Sequence, residues 1–488
     1  MGTRARAVLT LEEGSGPIFL RIARQVADDI RRGRLRSGDA LPGTRLLAES
    51  LGINRNTVVS AYSELVAEGW AIARPGGGTY VADSIPEPRF RASTRALRPE
   101  FVVRPPHFAM TACGPPALAA PYPHGTLVMA GGVPDTRLLP VDLFARALRR
   151  VLTARGARDA LGYGDARGDA RLRAAVADLV RETRGVPARP EDVLVVRGSQ
   201  MALALVARAL VPRGGAIAVE AIGYPSAWAA FASVGARLVP VPVDARGLDV
   251  DALASIIRSH RIHAVYVTPH HQYPTTVTLA PGRRSALLDL ARRERFAIIE
   301  DDYDHELHYE GRPVLPLASA DIHGSVVYVG SLSKVLAPGL RLGYVVASTP
   351  VIERLARERF VIDRQGDHAG ERAAAELIED GTLLRHVRRM RRVYLTRRDR
   401  LVDLLQSTFG DRVEVKPPPG GMALWVRVRL APSKIVVWEK RALEHGVAFV
   451  AGERLTFDGR PIPFARIGFA PLDEDEVREA VTRLARAF

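Results

Sequence analysis

The sequence predicts a helical N-terminal head that closes with a β-hairpin, a proline-rich connection, and a large α/β body built on a mostly parallel sheet. Three observations predict it. Apolar residues recur at helical spacing between Pro17 and Gly69 and run into a glycine-rich hairpin. Both helical and strand periods vanish over residues 84–126. From Leu127 onward, short apolar stretches alternate with helical segments.

The head is expected over residues 14–83. Pro17 suits a helix start, and Phe19, Ile22, Val26 and Ile30 follow at spacings of three and four until Gly33 stops the run. A short second helix is expected from Thr44 to Leu51, with Gly52 as its stop. A third follows Ile53-Asn54, carries Val58, Tyr62 and Leu65 on one face, and ends at Gly69. Trp70 and Ile72 then alternate toward Arg74-Pro75-Gly76-Gly77-Gly78, and Thr79-Tyr80-Val81 return as the second strand. Residues 84–126 read as a stiff Pro/Arg-rich linker.

The body is expected over residues 127–488. Val193–Val196, Ile217–Val219, Ala264–Val267, Ala297–Ile299, Val326–Val329 and Tyr344–Ala347 read as its buried strands. A smaller α+β subdomain is expected from about residue 350, with strands at Ala423–Val428 and Ala465–Phe469. No internal repeat is visible.

Composition narrows the function classes. The 488 residues carry a formal charge of +15, which favours an anionic partner. The single cysteine, Cys113, rules out an intrachain disulfide, and no Cys/His spacing suggests a metal, so none is expected. Met1–Glu13 lacks the apolar core of a signal peptide, and no apolar run suits a bilayer span, which makes the cytoplasm the expected location. Lysine occurs only at Lys334, Lys416, Lys434 and Lys440, and asparagine only at Asn54 and Asn56. Arginine replaces lysine wherever charge alone matters but cannot act as an amine nucleophile, so the remaining lysines are informative.

Two short helices, a tight turn and a β-wing form the geometry that places a recognition helix in a major groove. Arg45 at the start of the second helix, and Asn54, Arg55, Asn56 and Thr57 at the start of the third, are the expected DNA contacts. Arg forks onto guanine or phosphate, Asn pairs with adenine, and Thr bonds phosphate. Gly77 at the wing tip permits close backbone approach. The bland alternative is a helical cap with solvated polar residues. The segment Gly38–Val81 resembles the GntR-type winged helix-turn-helix over nearly its whole length. Gly43 departs from it, standing where the family usually has Ser.

The second constellation is Gly330-Ser331-Leu332-Ser333-Lys334, followed by Gly339-Leu340-Arg341-Leu342-Gly343, just past an apolar strand. Open α/β sheets bind ligands outside the carboxyl ends of their strands. An amine flanked by hydroxyls and an arginine suits an aldehyde cofactor that carries a phosphate: Lys334 for the Schiff base, Ser331, Ser333 and Arg341 for phosphate oxygens. Ala297-Ile298-Ile299 runs into Glu300-Asp301-Asp302-Tyr303-Asp304, and acids at a buried strand end are costly unless they meet a cation, such as a pyridinium nitrogen. Arg197-Gly198-Ser199-Gln200 opens a helix whose N-terminus suits phosphate. Each has a bland reading, a surface lysine or a solvated acidic turn.

In this order the three elements resemble fold-type I aminotransferases, and together with the head they resemble the MocR-type regulators, from about Leu127 to the C-terminus. The resemblance implies pyridoxal 5'-phosphate on Lys334. It pairs Asp301 with the pyridine nitrogen, sets Tyr303 and His271 near the ring oxygen, and stacks Tyr224 on the ring. It surrounds the phosphate with Ser199, Gln200, Ser331, Ser333 and Arg341, and has Tyr163 reach across a homodimer to the partner's phosphate. Arg466 would clamp an effector's carboxylate. Ala221-Ile222, His270 and Thr276 depart from the family pattern, where Asp-Pro or Asn-Pro, Ser and often Gly stand, and they are expected on the effector side of the pocket.

The function implied is a DNA-binding transcriptional regulator that senses pyridoxal phosphate, an amino compound, or both. A working aminotransferase with an accessory DNA-binding head is the alternative, and partial transamination is compatible with either. An empty dimerisation scaffold fits poorly with an intact Lys334, Asp301, Tyr303 and Arg341.

Overall fold

The computed structural model describes residues 17–74, 77–83, 122–155 and 157–488. The N-terminal segment, the hairpin residues Pro75 and Gly76, and most of the expected linker with Cys113 lie outside the described residues. The chain divides into two compact units, one within residues 1–110 and the other within residues 111–488.

In the first unit, α1 (Ile18–Arg31), α2 (Thr44–Leu51) and α3 (Arg55–Ala67) precede an antiparallel pair, β1 (Ala71–Arg74) and β2 (Gly78–Val81). Ile22, Val26, Ile30, Leu47, Val58 and Leu65 fill the centre. Burial of each such side chain is worth about 1.5–3 kcal/mol, so the helical periods alone account for a core. Gly52 ends α2 at φ +64°, a left-handed stop. Gly43, by contrast, starts α2 without a side-chain cap. Tyr62 donates its hydroxyl proton to the Pro42 carbonyl at 2.8 Å, which ties α3 to the start of α2. One expectation changes here. Ile72 does not follow Trp70 inward: Trp70 still bonds back to the Leu65 carbonyl, so strand alternation begins only at Ala71, and Ile72 is 43% exposed.

The second unit is organised by a seven-stranded sheet in the order Val193–Val196, Gly343–Val346, Val326–Ser331, Ala297–Asp302, Ile262–Val267, Ala216–Glu220, Arg237–Val241. Only Gly343–Val346 runs against the others. The central strands are apolar throughout because both faces are covered. Val193 and Val195 enter one core with Val265 and Ile298, while Leu194 and Val196 enter the other with Ala264 and Ile299.

The smaller layer is a four-stranded antiparallel sheet that includes Ala423–Val428 and Phe464–Gly468. Its boundary differs from the expected residue 350. Ile352 and Leu355 pack with the large sheet, and the helix Thr382–Phe409 gives Leu383 and Val387 to the large core but Met390, Tyr394 and Leu401 to the small one. The beginning of the unit also belongs to the small layer, since Leu127–Val128 pairs in parallel with Val447–Ala448 and Met129 enters that core. Strand pairing between segments more than 300 residues apart leaves no mark in local periodicity. Among the described residues, no helix is long and apolar enough to cross a membrane.

Candidate functional site

The carboxyl ends of the central strands deliver most of one cavity of about 210 Å³. Ser199, Tyr224, Thr268, Tyr273, Asp301, Tyr303, Ser331 and Lys334 line it from the large sheet, and Gly131, Gly132, Val133 and Arg466 from the small layer.

Lys334 lies in the turn after Val326–Ser331, and among the described residues its amine has no hydrogen-bond or ion-pair partner. Burial lowers its pKa from the usual lysine range. Asp304 and Asp301 pull it back up, and Arg466 and Arg341 push it further down. The net shift is toward the neutral, nucleophilic form of the amine.

Asp301 sits at the end of a central strand, 3% exposed. Its Oδ2 accepts the Tyr266 hydroxyl proton at 2.9 Å, while its buried Oδ1 has no partner. Burial raises its pKa to about 7 despite that hydrogen bond. A buried carboxylate oxygen left unpaired inside a cavity costs on the order of 1–3 kcal/mol, and a cationic N–H placed there would recover it.

The acidic run Glu300–Asp304 is not a solvated turn. Glu300 accepts the backbone N–H groups of Leu317 and Ala318 at 2.7 and 2.9 Å. Asp302 accepts the Tyr328 hydroxyl at 2.7 Å and lies 3.1 Å from His305. Asp304 faces His271 Nδ1 at 2.9 Å. Neutral donors and histidines meet one oxygen each of Asp302 and Asp304 and leave Asp302 Oδ1 and Asp304 Oδ2 unpaired. Of the three aspartates with an unpaired oxygen, only Asp301 lines the cavity.

The helix Gly198–Leu210 opens beside the cavity with Gly198 at φ +76°. A side chain at Gly198 would approach an Arg341 nitrogen to 2.8 Å, so the glycine lets the guanidinium settle against the helix start. Arg341 donates to the Arg197 carbonyl at 3.0 Å. Unpaired N–H groups and a positive dipole end meet an arginine here, a combination suited to phosphate. Ser331 Oγ accepts from the Ser333 N–H at 3.2 Å, which fixes the same turn.

Arg466 is 1% exposed and has no carboxylate partner among the described residues. It donates to the Pro274 carbonyl at 3.3 Å, lies over the Tyr273 ring at 4.3 Å, and keeps its Nε unpaired. A buried guanidinium without a counter-ion is a receptor for an anion.

Several expected residues are placed elsewhere. Gln200 does not line the cavity but donates to the Tyr224 hydroxyl at 3.3 Å. Ser333 is buried behind it, its hydroxyl 3.4 Å from the Leu342 carbonyl. The His271 ring turns away toward Asp304, and only its carbonyl serves the site, accepting the Tyr303 hydroxyl at 3.0 Å. Tyr163 is 80% exposed, with Arg364 over its ring at 4.1 Å. Ala221, Ile222, His270 and Thr276 do not line the cavity either, contrary to the expected effector side. Thr276 occupies φ +63°, a left-handed conformation that explains the glycine often found there and costs a β-branched residue about 1–2 kcal/mol.

Sequence reading missed Tyr266, Thr268 and Tyr273 as wall residues and the Gly131-Gly132-Val133 segment altogether. Thr268 leads to Glu220, whose carboxylate accepts the Thr268 hydroxyl at 2.8 Å. Burial pushes the Glu220 pKa up from 4.5 to about 8. The folded state therefore favours protonated Glu220, a contribution fully present below about pH 4.5 and lost as pH rises through about 8. Glu220→Gln removes the charge and is expected to flatten the pH dependence of the unfolding free energy by on the order of 1–3 kcal/mol, measured by urea titration. An unchanged slope would mean that Glu220 titrates normally.

In the head, Arg45, Asn54, Arg55, Asn56 and Gly77 are exposed and Thr57 is half-buried. Asn54 caps α3, its Oδ1 accepting the Asn56 N–H at 2.8 Å, so its carbonyl oxygen is committed to the helix rather than to a base. Arg55 Nε reaches Thr44 Oγ1 at 3.4 Å and leaves the rest of its fork outward.

Comparison with known proteins matches both units. Residues 19–81 match the model described as bacterial regulatory proteins, gntR family, and residues 130–484 match aminotransferase class I and II. The chain is 33% identical, over 97% of its length and 94% of the relative's, to "Probable rhizopine catabolism regulatory protein MocR" of Rhizobium meliloti. It is 32% identical, over 82% of its length and 81% of the relative's, to the "HTH-type pyridoxine biosynthesis transcriptional regulator PdxR" of Corynebacterium glutamicum. Among solved structures it resembles LysN, the alpha-aminoadipate aminotransferase of Thermus thermophilus, complexed with N-(5'-phosphopyridoxyl)-L-leucine. That similarity has a TM-score of 0.69 and 32% identity, and covers 75% of this chain and 92% of that one.

Proposed function

The chain belongs to the MocR-type regulators, in which a gntR-family DNA-binding domain is fused to an aminotransferase class I and II domain, and on that premise we propose that its body couples pyridoxal 5'-phosphate and an amino compound to promoter recognition by its head. One observation carries the reading: the amine of Lys334 and the vacant Oδ1 of Asp301 face the same buried cavity, in a chain that also holds a complete winged helix-turn-helix.

The cofactor supplies an aldehyde for covalent attachment and a ring that withdraws electrons. The residues present fit it. Lys334 offers the attaching amine, and Asp301 Oδ1 offers the acceptor for a ring N–H⁺. Tyr224 supplies an aromatic wall, and Tyr303, held by the His271 carbonyl, lines the cavity. Ser199, Ser331 and Arg341 surround the helix start where phosphate fits, with Ser333 bracing Ser331 and Gln200 bracing Tyr224. Arg466 holds the carboxylate of an amino-acid effector, since its guanidinium is buried without a counter-ion. Tyr163, solvent-facing in one protomer, reaches the phosphate of a partner in a homodimer.

Arg45, Arg55, Asn56, Thr57 and Gly77 contact duplex DNA at a promoter operator, while Asn54 orders the helix that presents them. A regulator of bacterial promoters works in the cytoplasm, where its DNA is. A ligand acts on such a protein only through unequal affinity for two arrangements, so cofactor and effector must each favour one DNA-binding state.

The test is paired. Mobility shift of the adjacent promoter should respond to pyridoxal phosphate or an amino compound, while steady-state transamination with common amino donors stays negligible. Turnover of about one per second or more, with no response on DNA, would make the chain an enzyme with an accessory head.

A further inference from the structure

Beside the cavity, but outside it, lies a second polar cluster that the proposed function does not use. His270 and His271 follow the strand Ile262–Val267, and His308 lies beyond the acidic run. One ring nitrogen from each comes within 4.8 Å of the others. The three histidines are adjacent only in the folded chain, since His308 pairs with Gly420 in an isolated bridge and packs back on the His270-His271 turn. No local spacing announces this set, so the sequence suggested no metal.

The chemistry of the three nitrogens is specific. His271 Nδ1 lies 2.9 Å from Asp304 Oδ1, which places the proton on Nδ1 and leaves Nε2 as the acceptor turned toward His308. That Nε2 lies 3.5 Å from His308 Nδ1. Two ligands on a tetrahedral ion with Zn–N bonds of about 2.0–2.1 Å stand about 3.4 Å apart, so this pair already has the required edge. His270 is 5% exposed, and neither of its ring nitrogens has a hydrogen-bond partner. Its ring lies 4.2 Å from that of His271. Closing the triangle requires movement on the order of 1 Å.

A satisfied core cluster is the bland alternative, and the orphaned nitrogens speak against it. An imidazole buried with both nitrogens unpaired carries an uncompensated cost. A shared cation would take up the lone pairs together. Asp304 would then complete a carboxylate–histidine–metal arrangement, which orients the ring and raises its basicity. Its Oδ2 and the nearby Asp302 add negative charge. His308 is half-buried and gives an ion access from solvent.

We propose that His270, His271 and His308 bind one divalent first-row transition ion of the zinc type, with Asp304 positioning His271. Three imidazoles with a carboxylate behind them suit Zn²⁺ or Co²⁺ rather than Mg²⁺ or Ca²⁺, which prefer oxygen ligands. The described residues supply three ligands, and the fourth position falls to water.

The test uses the untagged full-length chain, stripped with chelator and dialysed against Zn²⁺. Elemental analysis should find about one retained ion per chain. His308→Ala and His270→Ser should each weaken Zn²⁺ by at least about tenfold in competition with a chromophoric chelator. His445→Ala, at an exposed position outside the cluster, should bind as the parent does. Crystals of the parent soaked in Zn²⁺ should show an anomalous-scattering peak between His271 Nε2 and His308 Nδ1, a measurement independent of how the variants fold. Failure of the parent to retain zinc, variants that bind like the parent, or no peak among the three rings would each overturn the site.

Discussion

Full-length Lys334→Ala incubated with pyridoxal phosphate and then freed of excess is expected to show no visible absorbance band from attached cofactor, and borohydride should fix no cofactor on the peptide that carries position 334. The parent should show both. The expectation follows from the geometry: the other lysines, Lys416, Lys434 and Lys440, are not among the cavity's lining residues. Arginine cannot substitute as a nucleophile, because its guanidinium stays protonated. The effect is all or none, since removing the amine removes the bond rather than weakening a contact. Circular dichroism of the variant should match the parent, because Lys334 makes no hydrogen bond or ion pair among the described residues and its burial lowers its pKa at a cost to the fold. A variant that keeps the parent's spectrum would move the cofactor to another residue and end the assignment.

The second large effect is on DNA. Arg55→Ala should weaken operator binding by about 1–3 kcal/mol if its outward fork reaches a guanine, measured by fluorescence anisotropy at fixed salt. Arg55→Lys separates two mechanisms. It keeps the charge but loses the bidentate geometry, so base reading predicts a loss close to that of alanine, and phosphate contact predicts near-parent affinity. The salt dependence gives a further distinction, because loss of a phosphate contact lowers the slope of log K against log salt by about one. Parent-like affinity of Arg55→Ala would exclude it from the interface. Asn54→Ala should behave differently. Its Oδ1 caps α3, so the loss is about 1 kcal/mol of stability in the head, with DNA affinity reduced through the helix it orders.

These two sites were legible to different depths. The head could be read almost residue by residue, since Ile22, Val26, Ile30, Val58, Tyr62 and Leu65 are the buried positions that helical spacing picks out. The strands of the large sheet were equally visible, because a strand covered on both faces must be apolar throughout. Lys334, Asp301, Tyr303, Ser331 and Ser199 follow strand ends closely, so a local motif located them and the fold brought them to one cavity.

What local sequence could not convey was which way each polar side chain turns. His271 lies in the expected motif, yet its ring faces Asp304, and only its carbonyl holds Tyr303. Tyr266 appears in the sequence as one more apolar strand residue, until its hydroxyl is seen to fix Asp301. Gly131 and Gly132 have no motif, and they reach the cavity because Leu127–Val128 pairs with Val447–Ala448.

By itself, then, the amino-acid order determined the elements, their sequence along the chain, and the residue types able to carry the chemistry, because helical and strand periods and a lone amine beside hydroxyls are local properties. Tertiary structure alone decided which donors and acceptors stay vacant: Asp301 Oδ1 in the cavity, the Arg466 Nε–H without a partner, and the His270 nitrogens beside His271 and His308. A vacant donor or acceptor is defined by its neighbours, and those come from segments between 35 and 192 residues away.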